Sequence, residues 1–208
     1  MVKAVVLHSG GLDSTVCLLM ALEAKRKVLS LGVDYGQRHR IELEYASAQC
    51  QKYGVERRII RVEWDKPPRD IPIKRSLATI RGGVSPAFLP GRNAIFLTLA
   101  CAEAAGIHAR EVWAGVNAVD FSGYPDCKPE FIHAFKDMIR LAIPGGPEVI
   151  VPLISMSKPE IAIEGRRLGL APGDTWSCYQ PQVSTHGISP CGECDACVLH
   201  KHAWLDVD

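Results

Sequence analysis

The residues whose types and spacing best suit chemistry lie in one short polar segment near residue 10. Residues 8–15 read HSGGLDST, so two adjacent glycines are surrounded by hydroxyl side chains and one carboxylate. Glycine lets the backbone approach an anion closely, and the free N–H groups at a helix N-terminus carry about half a positive charge. The segment predicts a phosphate site formed by His8, Ser9, Gly10, Gly11, Leu12, Asp13, Ser14 and Thr15. The alternative is a purely structural turn in which Asp13 caps the following helix.

A second concentration of reactive side chains consists of cysteines. Cys191, Cys194 and Cys197 form the run CGECDAC, and Cys178 lies upstream of them. Four thiolates can complete a tetrahedral zinc site, which would attach a zinc-binding segment at 175–208 to the rest of the chain and act in folding. An iron–sulfur cluster on the same cysteines is the main alternative, while a reducing compartment disfavours disulfides.

The sequence also contains histidines near the cysteine run and four cysteines outside the predicted zinc site. Either of two histidines, His200 and His202, could replace one cysteine ligand. Three other cysteines fall on helical patterns and are interpreted as small buried hydrophobes: Cys17, Cys50 and Cys101. Cys127 has no histidine partner that the sequence identifies, so a nucleophilic role for this thiol is left open.

Both groups of residues need a framework, and the hydrophobic pattern predicts one. Apolar runs at 3–7, 28–33, 56–62, 111–115 and 148–153 alternate with helical patterns at 13–24, 38–53, 91–106, 128–143 and 158–168. This alternation indicates an α/β fold with a mostly parallel sheet of about five strands and helices on both faces. The phosphate segment then follows the first strand, at the edge where such sheets bind ligands. Proline and glycine break the pattern between 65 and 90, as in functional or mobile loops.

Composition narrows the classes of function. The 208 residues include 24 Lys plus Arg and 23 Asp plus Glu, so the formal net charge is +1. A chain this close to neutrality offers no overall field for a polyanion, and nucleic acid is not an expected partner. No apolar run approaches the roughly 20 residues of a membrane span, and no signal-peptide pattern is visible. We therefore expect one domain over residues 1–208, located in the cytoplasm, with no membrane partner.

The glycine segment also carries a resemblance. SGGLDS, between a strand and a helix, resembles the pyrophosphate loop (PP-loop) of the ATP pyrophosphatase superfamily, whose members adenylate an acyl or amide oxygen and release pyrophosphate. The resemblance implies an adenine nucleotide alpha hydrolase-like fold and ATP with Mg²⁺ as cofactors. It also implies that the loop holds the departing pyrophosphate, where negative charge accumulates.

Further blocks in order make the resemblance more specific. They are DYGQRH at 34–39, PGRN at 90–93, SGYPDC at 122–127, and SCY at 177–179 followed by CGECDAC. Together with SGGLDST they resemble the 7-cyano-7-deazaguanine synthase (preQ0 synthase) family of queuosine biosynthesis, from about residue 3 to residue 204. One departure is Lys128, where the family pattern has arginine, and a lysine cannot act as a bidentate guanidinium.

The family resemblance implies a carbon–nitrogen ligase, in effect a nitrile synthase. Its substrates would be 7-carboxy-7-deazaguanine, ammonia and ATP, and its products the nitrile, AMP and pyrophosphate. Adenylation would activate first the acid and then the intermediate amide, so that two ATP equivalents are used. The family also implies a homodimer.

Roles for single residues follow from the same resemblance. Asp13 would help to place Mg²⁺, Lys158 would contact phosphate, and Arg92 would face the nucleotide or substrate; all three are predicted as catalytic. Four further residues are predicted to contact the deazapurine: Asn93, Asp120, Tyr124 and Asp126. For each, a structural role such as helix capping, turn formation or an exposed lysine is the alternative.

Two other functions share parts of this pattern. A PP-loop enzyme that thiolates tRNA bases would keep the glycine segment, although it would need a basic surface or an RNA-binding appendage. A non-enzymatic protein could use the cysteines as a zinc module for contact with a partner. Loss of metal without loss of folding would favour the second alternative.

Overall fold

A parallel five-stranded sheet forms the centre of the molecule. The computed structural model describes residues 1–37, 40–64, 71–86, 88–117, 124–185, 187–205 and 207. The strands are β1 (Lys3–Leu7), β2 (Lys27–Asp34), β3 (Glu56–Arg61), β4 (Glu111–Ala114) and β5 (Glu148–Ile150). Their order is β3-β2-β1-β4-β5, and every pairing is parallel. The connection after β1 leads to one side of the sheet, towards β2 and β3, whereas β4 and β5 lie on the other side of β1. This change in strand order opens a crevice at the carboxyl ends of β1 and β4.

Seven α-helices are described besides the strands. They are α1 (Leu12–Glu23), α2 (Ile41–Tyr53), α3 (Leu77–Arg81), α4 (Arg92–Gly106), α5 (Pro129–Ala142), α6 (Lys158–Arg167) and α7 (Asp195–Ala203). None of the helices in these ranges is both long enough and apolar enough to cross a membrane.

The sheet separates two hydrophobic cores. Val5 of β1 faces a core built mainly with α4 and α5, whereas its neighbours Ala4 and Val6 face a core built with α1 and α6. Alternate residues of one strand point to opposite faces, so both faces of β1 are covered. The predicted α/β fold with a parallel sheet of about five strands and helices on both faces is confirmed.

The face that α2 buries cannot be identified from residue spacing alone. Ile41, Tyr45, Ala48 and Lys52 recur at helical spacing in the sequence, yet the structure leaves Ala48 and Lys52 exposed. The residues buried instead are Leu43, Ala46, Gln49 and Cys50. The buried stripe thus includes a polar residue, Gln49, which a hydrophobic pattern cannot identify.

The chain beyond residue 175 packs against the loop region between β3 and α4. A short antiparallel hairpin is formed by β6 (Gln182–Ser184) and β7 (Gly187–Ser189), and α7 follows it. Ile73 pairs with Cys194 in an isolated bridge, and Lys74 N donates to Glu193 O at 2.9 Å. The described part of the 65–90 region is therefore attached to the cysteine-rich segment.

Candidate active site and metal centre

A cavity of about 320 Å³ lies at the carboxyl end of the sheet. Ser9 and Asp13 line it beside β1, Lys158 lines it at the start of α6, and Arg92 lines it at the start of α4. Six of the eight predicted phosphate-site residues contribute to its wall: His8, Ser9, Gly11, Leu12, Asp13 and Ser14. The fold therefore brings most of the predicted loop to one cavity, together with all three residues predicted as catalytic.

The geometry of the loop requires glycine at residue 10. Gly10 has φ +92°, and a Cβ added there would lie 2.4 Å from the backbone oxygen of Glu42 and 2.8 Å from Ala46 N. Because both contacts are backbone atoms of α2, neither could move aside cheaply. Gly11 forms the N-cap of α1 without a side-chain capping bond, so the first-turn N–H groups remain available for an anion.

The hydroxyl side chains of the loop are ordered by local bonds. Ser14 Oγ donates to Gly11 O at 3.1 Å and lies 3.1 Å from Ser9 Oγ. Thr15 Oγ1 lies 2.7 Å from Gly11 O and is fully buried. Ser9 and Ser14 are thus the hydroxyls that line the cavity, while Thr15 supports the loop from inside.

Asp13 and Lys158, which both line the cavity, form an ion pair. Lys158 is positioned by a capping box at the start of α6, in which the Ser157 and Glu160 side chains bond each other's backbone N–H groups. Asp13 Oδ2 accepts from Lys158, and Asp13 Oδ1 is buried without a hydrogen-bond partner in the described ranges. A buried carboxylate oxygen that lacks a donor is suited to a cation.

His8 has a supporting position rather than a solvent-facing one. Its Nε2 donates to Gln49 Oε1 at 2.8 Å, and its Nδ1 lies 3.1 Å from Ser30 Oγ. Burial and the nearby Arg57 guanidinium lower the pKa of His8 to about 3, so the imidazole is neutral.

Gln49 connects this buried histidine to the loop. Its Nε2 donates to Asp174 O at 2.6 Å and lies 3.4 Å from Gly10 O, and its Oε1 lies 3.2 Å from Thr15 Oγ1. One amide therefore ties together the loop, α1 and the segment that leads to the cysteines. Gln49 could not be identified from the sequence, because the partners of its side chain are distant along the chain.

A further part of the cavity wall, here called the aromatic end, consists of aromatic and charged side chains. The rings of Tyr35 and Phe96 lie 5.4 Å apart, and Arg92 is hydrogen-bonded to Tyr35. Glu42 lines the same end and accepts from Gln37 Nε2 at 3.0 Å. Desolvation raises the pKa of Glu42 to about 7, against the opposing effects of Arg92 and Gln37.

The residues predicted to contact the deazapurine have different places. Tyr124 lines the cavity and packs against the Phe88 ring at 4.8 Å. Asn93 also lines the cavity, and its Nδ2 donates to Asp126 O at 3.1 Å. Asp126 is not among the described lining residues: its carboxylate is buried and accepts from Asn93 N at 3.0 Å, which supports the start of α4. Asp120 lies outside the described residues.

Cys127 is a buried thiol beside this group. Asn93 Nδ2 lies 3.2 Å from its sulfur, and burial raises the pKa of Cys127 to about 12. A thiol with so high a pKa is almost entirely protonated at neutral pH and is a poor nucleophile. The structure therefore places Cys127 in the cavity wall as a protonated thiol.

The four predicted metal ligands form a cluster. The sulfurs of Cys178, Cys191, Cys194 and Cys197 all lie within 4.8 Å of one another, with Cys178–Cys191 at 3.6 Å and Cys191–Cys197 at 3.9 Å. The edge of a tetrahedron with metal–sulfur bonds of about 2.3 Å is about 3.8 Å. Cys191 N also donates to the Cys178 sulfur at 3.2 Å. The cluster could hold one metal ion.

The two histidines that were alternatives to a cysteine ligand are engaged elsewhere. His200 Nε2 lies 3.1 Å from Pro172 O, and His202 Nε2 lies 3.2 Å from the Arg81 guanidinium. Neither belongs to the group of side chains that could hold a metal in the described ranges. In the described part of the chain the four cysteines are therefore the candidate ligands.

The cysteine cluster and the cavity share structural elements. Trp176 lines the cavity and donates from its backbone N to Gly10 O at 3.0 Å, and it packs in the same small core as Cys178 and Cys194. Asp195, next to Cys194, lines the cavity and is bound by Arg75. A metal in the cluster would therefore order one wall of the cavity.

Comparisons with known proteins agree with this geometry. The family model described as queuosine biosynthesis protein QueC matches residues 3–208. A 7-cyano-7-deazaguanine synthase 2 of Rhodopseudomonas palustris is 53% identical over 99% of this chain and 98% of its own length. A 7-cyano-7-deazaguanine synthase of Novosphingobium aromaticivorans is 43% identical over 95% of this chain and 88% of its own.

Two solved structures share the fold at low sequence identity. The U34-tRNA thiolase NcsA of Methanococcus maripaludis, solved with its 4Fe-4S cluster, is 19% identical over 81% of this chain and 58% of its own, with a TM-score of 0.53. A 4-thiouridine synthetase in an RNA complex with bound ATP is 22% identical over 81% of this chain and 41% of its own, again with a TM-score of 0.53. These two show the fold, whereas the full-length matches show the family: the chain belongs to the QueC family of queuosine biosynthesis proteins.

Proposed function

We propose that this chain is an ATP-dependent ligase that converts 7-carboxy-7-deazaguanine and ammonia to 7-cyano-7-deazaguanine (preQ0) in queuosine biosynthesis, with release of AMP and pyrophosphate. The observation that carries the proposal is one cavity in which a glycine-rich loop at a helix N-terminus meets an end lined by aromatic and charged side chains. The first feature suits a polyphosphate and the second suits a flat heterocycle. The names of its full-length relatives support the choice of product.

The chemistry explains why such a reaction needs ATP twice. A carboxylate is a poor electrophile, so its oxygen attacks the α-phosphorus of ATP and pyrophosphate leaves. Ammonia then adds to the activated carbonyl and AMP departs, which leaves the amide. The amide oxygen is adenylated in turn, and loss of AMP together with the two N–H protons leaves the nitrile. One acid, one ammonia and two ATP thus give one nitrile, two AMP and two pyrophosphate.

The loop residues fit ATP and its cation. In the proposal the N–H groups at the start of α1 and the hydroxyls of Ser9 and Ser14 hold the pyrophosphate, and Lys158 neutralises its charge. Asp13 Oδ1 is the oxygen offered to Mg²⁺, because it is buried and has no donor in the described part of the chain. His8 and Thr15 act through the loop that they support.

Arg92 is proposed to bind the reacting acid or the nucleotide, because it lines the cavity and is hydrogen-bonded to Tyr35. Tyr124 and Asn93 are proposed to line the ring-binding end, and Asp126 holds Asn93 in place. The predicted contact of Asp120 with the deazapurine remains part of the proposal.

The cysteine cluster is proposed to bind Zn²⁺ with a role in folding. Sulfur separations of 3.6 and 3.9 Å match the edge of a tetrahedron around one ion. A four-iron cluster would place four metal atoms between the thiolates and would need wider separations. The 4Fe-4S cluster of the structurally similar thiolase belongs to a protein that is 19% identical, so it does not argue for iron here.

The proposal extends to the domain organisation, location and assembly of the chain. Residues 1–208 act as one PP-loop domain whose zinc-binding segment is 175–208, and the chain works in the cytoplasm as a homodimer, on small molecules rather than on nucleic acid. Trp176 lines the cavity and also packs in the same small core as Cys178 and Cys194, which supports a single domain that includes the cysteine segment. Light scattering at micromolar concentration tests the dimer.

The proposed function is tested with purified chain, ATP, Mg²⁺, ammonium and 7-carboxy-7-deazaguanine, followed by mass spectrometry of both deazapurine and nucleotide. The expected result is the nitrile with two AMP for each nitrile formed. AMP without nitrile would move the substrate elsewhere, with tRNA next to be tried. ADP, or no nucleotide product, would contradict the role of the glycine loop.

A further inference from the structure

The aromatic end of the cavity contains a carboxylate that the phosphate chemistry does not use. Glu42 lies in the first turn of α2 and lines the cavity, and Gln37 Nε2 holds its Oε1 at 3.0 Å. The backbone oxygen of Glu42 is the atom that a Cβ on Gly10 would meet at 2.4 Å. The first turn of α2 is therefore packed directly on the glycine-rich loop at residues 8–15, and backbone contacts fix the position of Glu42 relative to that loop.

The surroundings of Glu42 suit a flat polar ring. Tyr35, Phe96, Tyr124 and Tyr179 all line the same cavity, and the Tyr35 and Phe96 rings lie 5.4 Å apart. Aromatic side chains provide the faces on which a heterocycle stacks. A carboxylate among them accepts hydrogen bonds in the plane of such a ring, and an ionised carboxylate has capacity for several.

A desolvated carboxylate also needs donors. Desolvation disfavours the charged form of Glu42 and raises its pKa, and Gln37 and Arg92 compensate only in part. Burial removes hydrogen bonds that water would donate to the Glu42 carboxylate. A ligand that presents two adjacent N–H donors would replace them. Arg92, which interacts electrostatically with Glu42, would supply a donor for an acceptor next to those N–H groups.

We propose that Glu42 determines specificity for the guanine-type edge of the ring, by accepting hydrogen bonds from the ring N–H and from the adjacent 2-amino group. The neighbouring ring carbonyl oxygen then accepts from Arg92. Glu42 takes the place that the sequence analysis gave to Asp126, whose carboxylate is bound to the start of α4. The inference rests on the proposed function, since it concerns the substrate of the same cavity.

The test compares two ligands that differ only in the 2-amino group. Equilibrium binding of 7-cyano-7-deazaguanine and of the analogue without the 2-amino group is measured by calorimetry, without ATP, for the original chain and for Glu42→Gln. The original chain should prefer the amino form by roughly 10- to 100-fold, since a hydrogen bond to a charged group is lost in the analogue. In E42Q the preference should fall to about threefold or less, because an amide N–H replaces one acceptor.

Two further variants make the result specific. Glu44→Gln removes an exposed carboxylate from the same helix turn and should keep the preference of the original chain. Glu42→Asp retains the charge but shortens the side chain by one methylene, so this variant should show an intermediate preference for the amino form. If E42Q does not fold, the Glu42→Asp variant tests the role of Glu42. A folded Glu42 variant that keeps the full preference, or an original chain that shows none, would overturn the assignment.

The two proposals fail differently. If the original chain forms no nitrile in the mass-spectrometric assay, the proposed function fails before any variant is made. If it forms the nitrile and E42Q discriminates as well as the original chain, only the role of Glu42 fails.

Discussion

Among single residues, Lys158 has the most direct effect expected on catalysis. It is mostly buried, pairs with Asp13, and opens α6 beside the loop. Lys158→Met removes the positive charge from the place where pyrophosphate charge would develop, so kcat should fall by about 100-fold or more. The initial rate of pyrophosphate release measures this.

A matched control for that variant is Lys52→Met. Lys52 is more than half exposed and lies 4.0 Å from Asp174 on the other side of the loop. Exposed pairs contribute at most about 1 kcal/mol, so this variant should keep its rate within about twofold. A rate in K158M equal to that of K52M would contradict the role of Lys158.

Gly10 tests the packing of the loop on α2. Gly10→Ala combines a positive φ with contacts to two backbone atoms, and should lower the free energy of unfolding by more than about 2 kcal/mol. Gly36→Ala is the control, since Gly36 has φ +74° but no atom within 4 Å of an added Cβ, and it should cost about 1 kcal/mol. Urea denaturation compares them; equal losses would show that the contacts with α2 do not matter.

His8 predicts a dependence of stability on pH. Its pKa is lowered from 6.5 to about 3 in the folded state, so between these values the unfolded chain binds one more proton. The contribution of neutral His8 is therefore complete above pH 6.5 and is lost as the pH falls towards 3. Between pH 7.5 and 5.0 it should decrease by about 2 kcal/mol.

Glu42 has the opposite sign over part of this range, because its raised pKa makes the folded state take up a proton first. The pH dependence of the free energy of unfolding in the original chain is consequently the sum of the His8 and Glu42 contributions. The variant His8→Asn isolates the His8 contribution. This variant should lose about 2 kcal/mol less than the original chain between pH 7.5 and 5.0, measured by urea denaturation. The exposed His133, replaced by Asn, should leave the difference unchanged.

At the scale of elements, local patterns predicted the sheet well and the buried polar network poorly. Strand β1 was predicted with its observed bounds, Lys3–Leu7, because β-branched apolar residues followed by glycine leave little choice. Gln49 was missed since its partners, Gly10 and Asp174, are 39 and 125 residues away. No periodicity within α2 records contacts at such separations.

The candidate site divides in the same way. The glycine loop and the cysteine cluster are contiguous or nearly so, and their chemistry can be identified from the spacing of residues. Glu42 and the aromatic end are assembled from β2, α2, α4 and the segment after Trp176, so only the fold brings them together. Asp126 remains a predicted substrate contact, and the structure adds that its carboxylate accepts a hydrogen bond from Asn93 N at the start of α4.

The cysteine segment is the element that the proposed zinc ion would stabilise most. Cys194→Ser should remove bound zinc and increase hydrogen exchange in α7 and the hairpin β6–β7, because these short elements have little core of their own. Cys101→Ser, which alters a buried thiol of α4, should lower stability but keep one zinc per chain. Metal analysis with hydrogen exchange tests both; full zinc content in C194S would contradict the ligand set.

At the scale of the whole molecule, charge separates a small substrate from tRNA. The formal net charge is +1, and an enzyme that neutralises several phosphates of a nucleic acid loses roughly 10³- to 10⁵-fold in affinity between 50 and 200 mM salt. A singly charged deazapurine acid has no such counterion release, so its KM should change by less than about threefold over this range. Added tRNA in tenfold excess over the chain should not inhibit nitrile formation. Steady-state kinetics at the two salt concentrations, with and without tRNA, gives the answer: a steep salt dependence or competition by tRNA would show that the cavity serves a nucleic acid.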